Sequence, residues 1–363
     1  MARVLLENLT KAFGKLVAVN NVNLEVRDKE FVTLLGPSGC GKTTTLRMIA
    51  GLERPDSGNI YIGDTLVNEL TPADRDIAMT FQFYAIYPRM TVYQNLAFPL
   101  ESRRMPKEEI KRSVKDAAEA LRIDHLLGEV ATKLNVGEQQ RVALGRAIVR
   151  RPKVTLLDEP LTNLDAALRA TMRTELKRIQ KELGQTTICV THDQLEAVTM
   201  ADRIAIMDVG VLQQYDTPSN IYDHPRNLFV ADFIGTPSMN FIDCNLTETK
   251  EKVVLESSDF AFPISELRGL IRDRATSSEL VLGIRPSDIS LHKEKPSEDA
   301  IPAKVDITEP LGDKLIVDLS LGEKLVKALT SVSSTVEIGE KLWILFDRQR
   351  MHVFDKKTRE TIV

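Results

Sequence analysis

Eight residues constrain this chain more than any others. Gly36-Pro37-Ser38-Gly39-Cys40-Gly41-Lys42-Thr43 follows the apolar, β-branched run 31–35 and precedes residues 44–50, which read as a helix opening at Thr44. This is GxxxxGK[ST] between a strand and a helix. In that context the glycines let backbone N–H groups converge on phosphate oxygens, and the helix N-terminus adds partial positive charge. Lys42 is placed to reach the β- and γ-phosphates of a nucleoside triphosphate, and the Thr43 hydroxyl to hold Mg2+. A phosphate cradle of this kind needs a second, acidic contact. Val154-Thr155-Leu156-Leu157 is a buried-strand pattern that ends in Asp158-Glu159-Pro160. Asp158 is the expected Mg2+ contact and Glu159 the expected polariser of an attacking water. Two carboxylates at a strand end carry little weight alone, but downstream of the glycine-rich loop they carry much.

The surrounding patterns give the fold class. At 363 residues the chain has room for two or three domains. From Val4 to about Phe233, short β-branched runs (31–35, 154–157, 187–190, 204–207) alternate with helical periodicity, as in an α/β domain with a largely buried parallel sheet. Two apolar stripes at helical spacing, Ile110/Val114/Ala117/Ala118/Leu121 and Leu168/Met172/Leu176/Ile179/Leu183, read as core-facing helix sides. Beyond Gly235 the period becomes two, as in Leu315/Val317/Leu319 and Leu342/Ile344/Phe346, with Gly-containing turns between runs. The expected division is therefore 1–234, an α/β nucleotide-binding domain with a helical subdomain at about 84–150, and 235–363, a mostly β domain. Residues 292–300 are polar and read as an exposed loop.

Charge and composition narrow the partners. Lys plus Arg total 48 against 52 Asp plus Glu, a net charge of -4, so the basic excess of a nucleic-acid binder is missing. The first ten residues lack the apolar run of a signal peptide, and no segment reaches the roughly 18 apolar residues of a membrane span, so a cytoplasmic location is expected. Cys40, Cys189 and Cys244 are widely spaced with no CxxC pair, which indicates neither a disulfide framework nor a zinc site.

At the glycine-rich loop and the Asp-Glu strand end, the sequence resembles the ATP-binding cassette family, and within it the ATPase subunits of carbohydrate importers. The resemblance runs through the β-rich tail, where residues 233–240 and Gly283-Ile284-Arg285-Pro286-Ser287-Asp288 are similar to segments of an oligonucleotide-binding-like regulatory domain. It implies ATP and Mg2+ as ligands, two membrane permeases, an extracytoplasmic binding protein, a second cassette and a place on the cytoplasmic face of the membrane. By the same resemblance, Phe13 is the platform on which adenine stacks. Gln82 senses Mg2+ and the γ-phosphate and couples the site to the permeases. His192, after an apolar strand, contacts the γ-phosphate and orients water. Asp165 lies in the loop through which the two cassettes communicate. Residues 84–92 and the helix near 106–122 correspond to the region that receives the permease.

One segment departs from the family pattern. Where the signature loop is expected, the chain reads Leu134-Asn135-Val136-Gly137-Glu138-Gln139. In the family this loop opens a helix whose N-terminus meets the γ-phosphate held by the opposite subunit, so the branched Cβ of Val136 and the charge of Glu138 bear on that trans contact. Two explanations stay open: a homodimer that tolerates the altered loop, or a heterodimer in which this chain supplies the impaired half of one site. Importers of polyamine, iron or sulfate, and soluble non-transport cassettes, are the alternative readings.

Overall fold

The computed structural model describes residues 2–80, 86–162, 164–248 and 253–363. It divides into two compact units, Met1–Pro218 and Ser219–Val363.

The first unit contains strands β1 (Val4–Phe13), β2 (Leu16–Val26), β3 (Phe31–Leu35), β4 (Ser57–Ile62), β5 (Thr65–Leu66), β6 (Ile77–Thr80), β7 (Val154–Asp158), β8 (Thr186–Thr191), β9 (Arg203–Asp208) and β10 (Val211–Asp216). Its helices are α1 (Lys42–Ala50), α2 (Val92–Glu101), α3 (Lys107–Ala120), α4 (Val136–Ile148), α5 (Ala166–Leu183) and α6 (Gln194–Met200). One sheet has the order β10-β9-β3-β8-β7-β6 and is parallel except for the β9/β10 hairpin. Every residue of β3, β7 and β8 is buried, which is why those strands read as unbroken apolar or Thr-containing runs rather than as alternations.

A second sheet, β2-β1-β4-β5, is antiparallel. The reading of 4–233 as alternating strands and helices missed it. β1 pairs back on β2 through Phe13 and Leu16, and their inward residues Leu6, Leu9, Val22 and Leu24 share one core with Val32, Leu34, Leu46 and Ile49. Helices α2, α3 and α4 pack on one another, and the α3 stripe Ile110, Val114, Ala118 and Leu121 is buried.

The second unit opens with two short helices, α7 (Pro218–Asp223) and α8 (Leu228–Phe233). Strands follow: β11 (Asn240–Glu248), β12 (Val253–Glu256), β13 (Ala261–Pro263), β14 (Glu279–Ile284), β15 (Ile289–His292), β16 (Ile301–Leu311), β17 (Lys314–Leu321), β18 (Lys324–Ser331), β19 (Lys341–Phe346) and β20 (His352–Asp355), with helix α9 (Arg268–Arg274) between β13 and β14. They form two antiparallel five-stranded sheets, β13-β12-β11-β14-β20 and β15-β19-β16-β17-β18, around a common core. The division falls before residue 235 for a physical reason. Ala231 of α8 packs with Met239, Val281 and Phe354, and the Arg285 guanidinium donates to the carbonyls of Tyr222 and Ile234, tying both helices to the β unit.

Candidate nucleotide site

The loop between β3 and α1 is held in shape before any ligand is considered. Lys42 is buried, and its Nζ donates to the carbonyls of Gly36 and Pro37, each at 2.8 Å, and lies 3.6 Å from Cys40 Sγ. Burial pushes the Cys40 thiol up, so it stays neutral beside the ammonium. Gly41 adopts φ 101°, and a Cβ there would lie 2.2 Å from the carbonyl oxygen of Ala18 on β2. The loop is thus pressed against the β1/β2 hairpin in a conformation only glycine accepts. Phe13, at the end of that hairpin, is about half exposed with Lys11 Nζ 5.2 Å from its ring centroid. An aromatic ring left uncovered at this place is not a core residue.

From the first turn of α1, the Thr43 hydroxyl donates to Asp158 Oδ1 at 3.3 Å, bringing the loop and the end of β7 together. Burial raises the Asp158 pKa, and neighbouring Glu159 raises it further, against the opposing pull of the Thr43 hydrogen bond and of Arg47 and Lys42. Glu159, the next residue, has φ 46°, a left-handed backbone that a non-glycine residue adopts only under constraint. Its N–H donates to the Val190 carbonyl on β8. The twist aims the carboxylate toward two groups: Thr162 Oγ1 donates to Oε2 at 3.2 Å, and His192 Nδ1 lies 3.5 Å from Oε1. Lys42, Thr43, Asp158, Glu159 and His192 therefore form one continuous cluster at the C-terminal ends of β3, β7 and β8. That is where open α/β sheets bind ligands.

The altered signature segment forms a second cluster. Asn135 caps α4: its Oδ1 accepts from Glu138 N at 2.9 Å, while Glu138 Oε2 accepts from Asn135 N at 3.0 Å, a reciprocal capping box. The Asn135 oxygen is thereby committed to the helix end, and its NH2 group makes no protein hydrogen bond among the described residues. Val136 is about half exposed, Gly137 is buried, and Gln139 Nε2 donates to the Leu134 carbonyl. A Cβ on Gly137 would meet Leu168 Cδ1 at 3.0 Å, so the two helix starts touch. Asp165 caps α5, its Oδ1 accepting from Leu168 N at 2.9 Å. Gln82 lies outside the described residues.

Thr162 and Thr191 escaped the sequence reading. Thr191 Oγ1 donates to the buried Glu196 at 2.7 Å and accepts from Asp193 N at 3.0 Å, fixing the backbone on either side of His192. The only available signal was their proximity in sequence to Glu159 and His192.

A strand-fed glycine-rich loop, a buried lysine, a threonine beside a strand-end aspartate and a carboxylate facing a histidine together define a nucleoside triphosphatase core. The family relation is sharper still. The ABC transporter family model matches residues 19–162, a MalK OB fold domain model 235–289 and a TOBE domain model 282–354. The chain is similar to a trehalose/maltose import ATP-binding protein of Thermococcus litoralis, 48% identical across the full length of both, and to a xylose/arabinose import ATP-binding protein of Haloferax volcanii, 45% identical over 100% of this chain and 96% of that one. It also resembles a dimeric ATP-binding cassette in a post-hydrolysis state with ADP and Pi (TM-score 0.52, 31% identity, 59% of this chain and 98% of that one). The chain belongs to the ATP-binding cassette transporter family, as an ATP-hydrolysing subunit of an importer. Membership implies permease partners in the membrane and pairing with a second cassette. No helix among the described residues is long and apolar enough to cross a bilayer.

Proposed function

We propose that this subunit drives uptake of a carbohydrate, polyol or glycerol-type substrate, with Lys42, Glu159 and His192 as its catalytic groups. The cargo class rests on the relatives named for trehalose/maltose and xylose/arabinose import. The catalytic assignment rests on one observation above all: Glu159 and His192 converge at 3.5 Å beside the Thr43–Asp158 pair. Water held by the Glu159 carboxylate would attack the γ-phosphorus in line with the departing ADP oxygen. The Thr162 hydroxyl fixes Oε2, and Oε1, on the His192 side, would orient along that line. His192 Nδ1 borders the same oxygen and would steady the γ-phosphate and the water. Lys42 would exchange its two carbonyl partners for phosphate oxygens and neutralise charge as it spreads over them. Phe13 would stack on adenine. The remaining nucleotide contacts are the backbone of 36–41 and the first residues of α1, including Thr44.

The residues present fit Mg2+. Thr43 Oγ1 and Asp158 Oδ1 are hard oxygen donors 3.3 Å apart, and Asp158 is desolvated enough to gain from a divalent partner. Among the described residues no group of three or more His, Cys, Asp or Glu forms an all-protein cage, as suits an ion that arrives with phosphates. When bound, Mg2+ supplies charge neutralisation on the phosphate oxygens.

The capping box supports a homodimer, because Asn135 keeps the α4 N-terminus ordered and its NH2 group still offers a donor to the opposite subunit's phosphate. An extracytoplasmic binding protein and a position on the cytoplasmic face complete the reading. The test is Glu159→Gln. It should bind ATP with wild-type affinity and lose turnover about 100- to 1,000-fold, since one positioned proton acceptor is removed. Wild-type turnover would refute the assignment.

A further inference from the structure

Arg169 stands on the first turn of α5, where its N–H makes the opening helical bond to the Asp165 carbonyl. No role in hydrolysis attaches to it so far, yet its guanidinium reaches both loops that carry candidate catalytic groups. On one side Nη2 donates to the carbonyls of Leu164 at 3.0 Å and Thr162 at 3.5 Å. On the other, Nη1 lies 3.6 Å from Asp193 Oδ2 and Nε 4.0 Å from Glu196 Oε1. Thr162 in turn holds Glu159, and Asp193 directly follows His192.

We propose that Arg169 is a positioning residue: it clamps the loop after β7 to the loop after β8, and so sets the spacing of Glu159 and His192 for hydrolysis. This rests on the reading of those two residues as catalytic.

Three features support the clamp. A cation in the first turn of a helix opposes the helix dipole, and the acid at this helix end, the N-cap Asp165, is engaged with the Leu168 N–H, so helix stability does not explain an arginine here. Its carboxylate partners are themselves fixed. Asp193 caps α6 through the N–H groups of Leu195 and Glu196, and Glu196 is 3% exposed and held by the Thr191 hydroxyl. The chemistry also requires arginine. A planar fork spans two carbonyls and two carboxylates lying in different directions, whereas a lysine ammonium meets only one set. Among the described residues Arg169 Nε, which is buried, has no hydrogen-bond partner and lies 4.0 Å from Glu196 Oε1, so a small approach of the two loops would complete a charge-assisted bond.

The experiment compares wild type, Arg169→Ala, Arg169→Lys and Glu196→Gln in the full-length chain purified with its permeases. It measures kcat and KM for ATP, affinity for a fluorescent ATP analogue, and Tm. The clamp predicts that Arg169→Ala loses about 10- to 100-fold in kcat, with KM, affinity and Tm nearly unchanged, because only transition-state geometry is disturbed. Arg169→Lys should recover part of the loss, and Glu196→Gln should lower kcat in the same direction. A kcat of Arg169→Ala within about twofold of wild type would overturn the clamp. So would affinity and Tm falling in parallel with kcat, which marks a merely structural residue. If Arg169→Ala does not fold, Arg169→Lys decides, and full wild-type kcat there overturns the clamp. Absence of ATP hydrolysis by the wild type would overturn the catalytic reading as well, whereas hydrolysis by the wild type and equally by Arg169→Ala would overturn the clamp alone.

Discussion

Gly41 and Glu159 both sit in left-handed backbone, yet for opposite reasons. Gly41 is there because any side chain would strike the Ala18 carbonyl, so Gly41→Ala must reshape the loop itself. We expect Gly41→Ala to lose ATP affinity by at least about tenfold, with a stability cost of about 1–3 kcal/mol from the strained backbone. Titration with a fluorescent nucleotide and thermal melts check both effects. Glu159 tolerates the same region because its N–H is tied to Val190 and its carboxylate to Thr162, so the strain is held by contacts within the candidate site. Lys42, Thr43, Asp158 and Glu159 were readable because each lies at a fixed offset from a strand end. Arg169 and Thr162 were not, because their meaning comes from contacts between two loops that adjoin only once β7 and β8 pair.

At the scale of elements, the altered signature segment shows how a departure from a family pattern can be a local solution. Asn135-x-x-Glu138 is itself an N-terminus signal visible in the sequence, although the resemblance drew attention to what was missing. Asn135→Ala should cost about 1 kcal/mol by removing the cap. Asn135→Ser should keep the cap and most of the stability. Urea unfolding curves of the two variants would separate these outcomes. The antiparallel β1/β2 pair was hidden for a different reason. Register shifts after Leu6, Leu9 and Lys11 break the strict alternation by which such strands are recognised.

For the molecule as a whole, acid sensitivity should be pronounced in the C-terminal unit. Asp355 is fully enclosed at the end of β20. Burial alone would raise its pKa, but the N–H groups of Thr358, Thr276 and Lys357 and the Thr276 hydroxyl all donate to the carboxylate, bringing it down to about 2. A carboxylate whose ionised form is hydrogen-bonded in the folded state stabilises that state above the ordinary carboxylate pKa. The contribution should therefore fade as pH falls from about 4 to about 2. Asp355→Asn should lose about 1–3 kcal/mol at neutral pH, since it weakens those hydrogen bonds, and should flatten the acid limb of a stability profile. Melting curves of the full chain recorded from neutral to acidic pH test both. The switch from mixed α/β to strand-rich architecture was legible in the alternation of β17 and β19. The place of α7 and α8 was not, because it depends on contacts from Arg285 and Phe354, far along the chain.

The strand order β10-β9-β3-β8-β7-β6 also bears on how the protein is made. The strand feeding the phosphate loop is flanked on both sides by strands that leave the ribosome much later, at residues 186–191 and 203–208. At synthesis rates of about 5–20 residues per second, the nascent loop waits roughly 8 to 30 s without either neighbour. Competence to hold nucleotide should thus arise late and abruptly, once Asp208 has emerged, leaving the earlier apolar strands in need of a chaperone's cover.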